Sequence, residues 1–424
     1  MLHKRLLAAL LCVLLAGCSA PVTAPTSQET VGEPTASAEA TPTATPQATE
    51  KPTPEPTPTE TATPEPQAVE ATIMAVGDIM FHGAQIDAAY DRKTKTYNFN
   101  DSYRFVTDIL SSADLTLGNF ECTLGGPGKP WSQPDSMSFN APDTAADALA
   151  AAGFDVLSTA NNHTNDRGRD GVIRTVEQLR DRGITVVGTR ADAAEKPYAV
   201  VDVKGIQIGV TAYAWGSRNG DLLNLYNTDA AKAKGQFQEM VSAMRADGAD
   251  IVLFYIHWGA EYQRAPNASQ KRLAQALADA GVDIICGSHA HVLQTVGELT
   301  GEQGNKTFVA WSLGNFISNQ ITRWNTTKFK YTEDTMILSL KLRKEGERTE
   351  VTLAEYLPVW NMCVGPNSDR SYTLLPIEKA LQQPEAYDMP SAYERNKAGL
   401  ALKNTDALLS GAVEEGIIAK MVLP

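Results

Sequence analysis

One unit recurs along the middle of the chain and limits how it can fold: an amphipathic helical segment, then a glycine, then a short apolar run. It appears as DALAAAGFDVLSTAN, VEQLRDRGITVVGTR, MVSAMRADGADIVLFYIHWG and LAQALADAGVDIICGSHAH. A glycine directly after a helical segment is typical of the left-handed cap that ends a helix, and the four glycines are Gly153, Gly183, Gly248 and Gly281. The Val- and Ile-rich runs that follow predict strands buried on both faces. The repeated unit therefore predicts an α/β fold.

Other segments predict that the sheet is mixed. YAVVDVKGIQIGVTAYAW predicts two antiparallel strands joined at Lys204 and Gly205. DTMILSLKLRK and TEVTLAEYLPVW predict a second hairpin across residues 345–348, followed by a helical tail from about Ala392. Three more strands are predicted in ATIMAVGD, ADLTLGNFE and KTFVAWSLGNF.

Polar side chains follow these predicted strands at the point where each strand ends. The carboxyl ends of strands in an α/β sheet border the crevice in which ligands bind, so residues far apart in sequence can meet there. Of the six histidines in the chain, every one except His3 lies at such a position. The groups at these positions are Asp78, His82, Asn119, Glu121, Asn162, His163, Asp166, His257, Glu261, His289 and His291.

Each of these residues alone is also typical of turns and helix caps. Their coincidence at strand ends is what predicts a shared metal site. Imidazole nitrogens with carboxylate and amide oxygens, and no thiolate, suit Mn²⁺, Zn²⁺ or Fe²⁺. We expect one or two divalent ions. The formal net charge of −13 at pH 7 argues against nucleic acid as a partner.

The N-terminal segment predicts export and a lipid anchor. MLHKRLLAALLCVLLAGCSA has a basic start, an apolar run shorter than the roughly 20 residues that span a bilayer, and then small residues. Leu15-Ala16-Gly17-Cys18 resembles a bacterial lipoprotein box, in which the cysteine receives lipid. We therefore expect a signal peptide over 1–17, with an uncleaved anchor helix as the alternative. Lipidation of Cys18 would place the protein on the extracytoplasmic face of the cell membrane.

The remaining chain divides by composition. Residues 18–68 are almost only Pro, Thr, Ala, Glu and Ser. Such a segment cannot bury enough apolar surface to fold, so we expect a disordered stalk. Residues 69–330 are expected to form the main domain, and residues 331–424 the C-terminal strands and helical tail that complete it.

Six ordered blocks over about residues 70–320 resemble the CapA family of capsule synthesis proteins. The blocks are AVGDIMF, LGNFECTL, ANNHTNDRG, HWGAEY, GSHAHVLQ and WSLGNF. That family is named for bacterial poly-γ-glutamate capsule production and is similar to the calcineurin-like metallophosphoesterases. The resemblance implies a four-layer α/β/β/α sandwich with two mixed sheets and a metallophosphatase-like dinuclear metal site.

Carried over residue by residue, the resemblance implies a set of metal ligands and a catalytic histidine, His163. Asp166 is the candidate residue that orients His163. The implied ligands are Asp78, Asn162, His257, His289 and His291. The candidate substrate contacts are His82, Trp258, Glu261 and Asn315.

The chain departs from the phosphoesterase pattern at two positions. Met80 stands where that pattern has a histidine, and His82 is a partial substitute. Asn119 stands where it has a bridging aspartate, with Glu121 the nearest carboxylate. We keep Asn119 and Glu121 as candidate ligands and expect one metal position to be weaker than the other.

Three functions are compatible with these patterns. The first is a metal-dependent hydrolase or transferase at the cell surface that acts on capsule polymer or another envelope substrate. The second is a non-catalytic assembly or polymer-retention subunit, with capsule synthase subunits and poly-γ-glutamate as partners. The third is a solute-binding lipoprotein, which would not require clustered histidines.

Overall fold

A computed structural model of the chain describes residues 68–423 except 134–135, 217, 324–325, 367–369 and 390. The expected signal peptide and Cys18 lie outside the described residues, as does the expected stalk apart from Ala68. Among the described helices, none combines the length and the hydropathy needed to cross a membrane.

Strands and helices alternate along most of the described chain. The strands are β1 (Val69–Ile79), β2 (Tyr90–Asp91), β3 (Thr96–Tyr97), β4 (Leu115–Phe120), β5 (Val156–Ser158), β6 (Thr185–Val187), β7 (Ala199–Val203), β8 (Ile206–Tyr213), β9 (Ile251–His257), β10 (Ile284–Ser288), β11 (Val296–Thr300), β12 (Lys306–Ala310), β13 (Asn315–Ile317), β14 (Asp334–Glu345), β15 (Arg348–Val364), β16 (Ser371–Pro376) and β17 (Ala419–Lys420). The helices are α1 (Gly83–Ala89), α2 (Thr107–Leu110), α3 (Thr144–Ala151), α4 (Gly168–Arg180), α5 (Ala230–Ala246), α6 (Ala268–Asp279), α7 (Ile377–Gln382) and α8 (Ala392–Glu414).

The strands form two large mixed sheets and a small hairpin of β2 and β3. The first sheet has the order β16-β15-β14-β1-β4-β5-β6, with β13 paired to β1 and β17 paired to β15. Its strands β1, β4, β5 and β6 are parallel, whereas β14 joins β1 in antiparallel register. The second sheet has the order β11-β12-β10-β9-β8-β7, and its two edge strands are antiparallel to their neighbours.

The hydrophobic clusters show how these elements are layered. Successive residues of a strand point to opposite faces of its sheet. Ile73 of β1 and Leu253 of β9 belong to one cluster that fills the space between the two sheets. Met74 packs on the opposite face of the first sheet with α3 and α4, and Phe254 packs on the opposite face of the second with α5 and α6. The four-layer α/β/β/α sandwich expected from the sequence is confirmed.

The glycine signals also have the expected geometry. Gly153, Gly183, Gly248 and Gly281 have φ angles of 93°, 79°, 93° and 90°, the left-handed conformation of a helix cap. The expected hairpins are present as β7 with β8 and as β14 with β15. The short strands β11 and β16 were not predicted from the sequence.

Gly77 in β1 has no room for a side chain. A Cβ atom there would lie 1.9 Å from the Gly314 carbonyl oxygen and 2.7 Å from that of Leu313. The close approach arises because the amide of Asp78 donates a 2.8 Å hydrogen bond to the Gly314 carbonyl. A methyl group at Gly77 must therefore displace backbone beside the strand end that carries Asp78.

We expect Gly77→Ala to lower the free energy of unfolding by about 1–3 kcal/mol, the usual cost of overpacking. Gly235→Ala in α5 is the matched control, because no atom outside its own helix lies within 4 Å of the added methyl group. The control should be neutral or more stable by about 0.5–1 kcal/mol. Urea unfolding monitored by fluorescence measures both, and a Gly77→Ala protein as stable as the control would contradict the prediction.

Candidate metal centre

The polar residues predicted at strand ends meet at one edge of the two sheets. Asp78 on β1 is in register with Asn119 on β4 and with Asn315 on β13. In the second sheet, His257 at the end of β9 is in register with Ser288 at the end of β10. Parallel neighbouring strands thus carry these residues to one site from both sheets.

Three overlapping groups of side chains each place ligand atoms within 4.8 Å of one another. The groups are Glu121 with His257 and His289, Asp78 with Glu121 and His291, and Glu261 with His289 and His291. We call these six residues the ligand cluster. All are buried except Glu261, which is half-buried.

Glu121 lies between two imidazoles. Its Oε1 is 3.7 Å from His257 Nε2 and 3.8 Å from His291 Nε2, and it is buried without a hydrogen-bond partner. Burial, followed by the nearby charge of Asp78, raises the pKa of Glu121 well above its ordinary value. A buried oxygen without a partner costs stability, so this atom requires a proton or a cation.

The ring of His291 is oriented by two acceptors. Its Nδ1 lies 3.1 Å from Asp78 Oδ2 and 3.0 Å from Asn315 Oδ1. The Asn315 amide is oriented in turn, because its Nδ2 donates to Gln320 Oε1 at 3.0 Å. The proton of a neutral His291 therefore belongs on Nδ1, which leaves the Nε2 lone pair facing Glu121.

His257 is oriented in the same way. Its Nδ1 lies 2.9 Å from Ser288 Oγ, and its Nε2 lies 3.0 Å from Asn162 Oδ1. Burial, and then the neighbouring histidines His289 and His291, lower the pKa of His257 well below its ordinary value. A neutral ring with Nδ1 donating to Ser288 directs its Nε2 lone pair towards Asn162 and Glu121.

His289 supplies the second buried atom without a partner. Its Nδ1 has no hydrogen bond. Burial lowers the pKa of His289 to about 4, so the ring is neutral at pH 7. His289 and His291 have φ angles of 86° and 56°, a left-handed conformation that non-glycine residues seldom adopt. Such strain persists where surrounding contacts hold it, and it is common at functional sites.

These donors fit a divalent cation. Glu121 Oε1 and His289 Nδ1 are buried without hydrogen-bond partners, and His257 and His291 direct Nε2 lone pairs towards Glu121. Neutral histidines and carboxylates are the ligand states that divalent transition metals require. The Asn162 amide oxygen, next to His257, completes a mixed nitrogen and oxygen set.

Asn119, in contrast, is not oriented as a ligand. Its amide nitrogen donates to Asp78 Oδ1 at 2.8 Å and faces Glu121 Oε2 at 3.4 Å. Its oxygen accepts from Asn161 Nδ2 at 3.2 Å. Ionised carboxylates can only accept hydrogen bonds, so the N–H groups of Asn119 face Asp78 and Glu121. Asn119 thus holds these two ligands in position by hydrogen bonds. Met80 is fully buried in the core on the outer face of the first sheet.

The candidate catalytic pair lies beside the cluster. His163 Nδ1 is 2.8 Å from Asp166 Oδ2, and both residues pack near Phe139, whose ring centroid is 4.3 Å from that of His163. Asp166 Oδ2 also accepts from the Phe139 amide at 2.6 Å. His163 belongs to none of the three ligand groups found in the described chain.

The four candidate substrate contacts lie in different surroundings from one another. Trp258 is fully buried, and its indole N–H donates to the Trp311 carbonyl at 3.0 Å, so it is a core residue. His82 caps α1 and accepts from the Asn319 amide, while burial lowers its pKa to about 3. Asn315 holds His291, as described above. Glu261 lies within ligand distance of two histidines.

Sequence reasoning missed Trp215, which covers two of the histidines. Its ring is stacked on His257 with centroids 5.4 Å apart and meets His289 edge to face at 4.5 Å. Trp215 lies two residues after the end of β8, so the strand-end pattern that identified the other residues also applied to it. Apolar cover of this kind lowers the local polarity and strengthens electrostatic interactions within the cluster.

The fold and the cluster define a class of protein: a four-layer α/β protein with a buried nitrogen and oxygen ligand set at its strand ends. Residues 72–320 match the family described as bacterial capsule synthesis protein PGA_cap, and the chain belongs to that family. The resemblance drawn from the six sequence blocks is thereby confirmed.

Two proteins that are similar in sequence to this chain have names that refer to PGA or capsule biosynthesis. The PGA biosynthesis protein CapA of Bacillus subtilis (strain 168) is 31% identical over 282 residues, covering 65% of this chain and 69% of that protein. The capsule biosynthesis protein CapA of Bacillus anthracis is 29% identical over 282 residues, covering 65% of this chain and 64% of that protein. Among solved structures, the calcineurin-like phosphoesterase YfkN from Bacillus subtilis aligns at 15% identity with a TM-score of 0.40, covering 69% of this chain and 91% of that chain.

Metal removal should destabilise the protein if the cluster binds metal only when folded. Occupancy at a hundredfold excess over the dissociation constant stabilises a fold by about 2.7 kcal/mol. We expect chelator to lower the melting temperature of wild type and to have no effect on His289→Ala. Glu298→Gln, an exposed substitution on β11, should respond like wild type. Equal melting curves for metal-loaded and chelated wild type would refute the prediction.

Proposed function

We propose that this protein is a metal-dependent hydrolase at the bacterial cell surface that acts in the synthesis of a poly-γ-glutamate capsule. One observation carries the proposal: two buried ligand atoms without partners, Glu121 Oε1 and His289 Nδ1, lie in a cluster beside the paired His163 and Asp166. Family membership and the names of the relatives support the role in capsule synthesis.

Glu121, His257 and His289 would hold a divalent metal together with the Asn162 amide oxygen, and Asp78 and His291 lie next to them. Mn²⁺, Zn²⁺ and Fe²⁺ all suit this mixed set. A bound metal of this kind supplies a Lewis acid and a water molecule whose pKa is lowered towards neutrality.

His163 is the residue that would protonate the leaving group. Its Nδ1 lies 2.8 Å from Asp166 Oδ2, which orients the ring, and its backbone amide donates to Asn161 Oδ1 at 3.1 Å, which holds the backbone. The Nε2 atom remains available to carry a proton to substrate. General acid catalysis by a positioned histidine typically contributes about 10² to 10⁴ in rate.

A cationic groove beside this pair supports an anionic substrate. The groove has a volume of about 390 Å³ and includes Lys129, Ser138, Asp166 and Arg167 in its lining. The Arg167 guanidinium donates to the Pro130 carbonyl, Ser138 Oγ and the Asp166 carbonyl, all neutral acceptors. Its charge is therefore not paired with a carboxylate in the part of the chain that the structure describes. A polymer with free carboxylates matches such a surface.

Replacing His163 tests the catalytic assignment. We expect His163→Ala to keep its metal and its fold and to lose at least about a hundredfold in turnover, because the leaving group loses its proton donor. Metal-loaded enzyme is assayed with poly-γ-glutamate and with phosphodiesters, in Mn²⁺ and in Zn²⁺. Asp170→Asn, an exposed change on α4, is the matched control.

Two results would contradict the hydrolase proposal or part of it. Full activity in His163→Ala would remove the role given to that histidine. No turnover of any substrate by metal-loaded wild type would favour a non-catalytic assembly subunit, which the replacement of a bridging carboxylate by Asn119 also fits.

The location is part of the proposal: Cys18 carries a lipid and anchors the protein on the extracytoplasmic face of the membrane. The lipoprotein-like sequence Leu15 to Cys18 supports it. A cysteine bearing several acyl chains gives firm anchoring, whereas a single chain gives only marginal binding.

We expect Cys18→Ala to move the protein from the membrane to the soluble fraction. Retention of Cys18→Ala in washed membranes would show that another anchor operates.

A further inference from the structure

Glu261 comes from a different loop than the other carboxylates of the ligand cluster. Asp78 and Glu121 lie at the ends of β1 and β4 in the first sheet, whereas Glu261 follows β9 in the second. Its carboxylate lies within 4.8 Å of ligand atoms of both His289 and His291. Glu261 is half-buried whereas Asp78 and Glu121 are buried, so it lies at the more exposed side of the cluster, which we call its mouth.

The loop that carries Glu261 is fixed to the loop that carries the two histidines. Tyr262 has a left-handed φ of 63°, and its amide donates a 2.7 Å hydrogen bond to the carbonyl of Ala290, the residue between the histidines. Its hydroxyl accepts from Gln320 Nε2 at 3.3 Å. The position of Glu261 next to His289 and His291 is therefore set by backbone contacts.

The charges of the cluster also require explanation. No lysine or arginine of the described chain forms an ion pair with Asp78, Glu121 or Glu261, and the ion-pair partners of the first two are histidines. Three carboxyl groups and three imidazoles thus meet in a largely buried space, without a lysine or arginine of the described chain paired to the carboxyl groups. Such a concentration of carboxyl groups is stable only with protons or cations.

We propose that Glu261 is a further metal ligand, which binds a divalent cation together with His289 and His291 at the mouth of the ligand cluster. The inference rests on the proposed function, in which the cluster holds metal. In this proposal Glu261 binds the cation, whereas from the sequence it was a candidate contact for substrate. His289 also has a buried Nδ1 without a hydrogen-bond partner in the described structure.

Metal affinity tests the proposal without an activity assay. The full-length protein is stripped with chelator and titrated with Mn²⁺ by calorimetry. We expect Glu261→Gln to weaken Mn²⁺ binding at least about tenfold or to remove one binding equivalent, in line with losses seen at metal sites. Glu298→Gln on β11 should bind Mn²⁺ like wild type. Wild-type affinity and stoichiometry in Glu261→Gln would overturn the proposal.

A second variant covers the case in which Glu261→Gln loses its fold. Glu261→Cys offers a thiolate at the same position, which prefers soft cations. With Cd²⁺, it should show the ultraviolet charge-transfer absorption of a cadmium thiolate, and neither wild type nor Glu298→Cys should show it. Absence of that absorption in folded Glu261→Cys would exclude Glu261 from the cation's ligands.

The two proposals fail in different ways. Wild type that binds no Mn²⁺, Zn²⁺ or Cd²⁺ refutes metal binding by the cluster and with it the hydrolase proposal. Wild type that binds Mn²⁺, with Glu261→Gln binding it equally well, refutes only the role of Glu261.

Discussion

The carboxylate of Asp78 joins the two sheets at the site, and the geometry of the ligand cluster depends on it. In the first sheet, Asp78 Oδ1 accepts from Asn119 at 2.8 Å. Its Oδ2 accepts from the His289 amide at 3.3 Å and lies 3.1 Å from His291 Nδ1, both in the loop after β10 of the second sheet. A buried carboxylate must keep such partners, because losing one costs about 1–3 kcal/mol or more. The sheets are therefore held together where the ligands meet.

Burial affects the two kinds of ligand in opposite directions. It raises the pKa of Glu121 well above the ordinary value, and it lowers the pKa of His257 and His289. Without a cation, both kinds of group are therefore driven towards their neutral forms. The neutral histidines already have the lone pairs that a metal needs, whereas Glu121 must lose a proton first. Metal binding is thus coupled to proton release at Glu121, and affinity should weaken in acid.

The sequence was sufficient to predict the layers of the fold and the edge of the sheets at which the site lies. Glycine caps such as Gly153 and strand-end residues such as His257 follow local rules, because a helix cap and a strand end are each fixed by a few neighbouring residues. The orientation of a side chain is not fixed locally. Trp258 and His257 are adjacent, yet alternation along the chain sends one into the core and the other into the site. The amide direction of Asn119 and the ligand distance of Glu261 depend on residues from other strands.

The amide of Asn119 affects the charge of the whole cluster. An aspartate there would place a third carboxylate against Asp78 and Glu121, whereas the Asn119 amide donates to the first and faces the second. This removes one negative charge from the buried floor of the site. Glu261 returns one negative charge at the half-buried mouth, where its desolvation costs less. The carboxyl groups of the cluster are thus divided between its buried part, with Asp78 and Glu121, and its half-buried mouth, with Glu261.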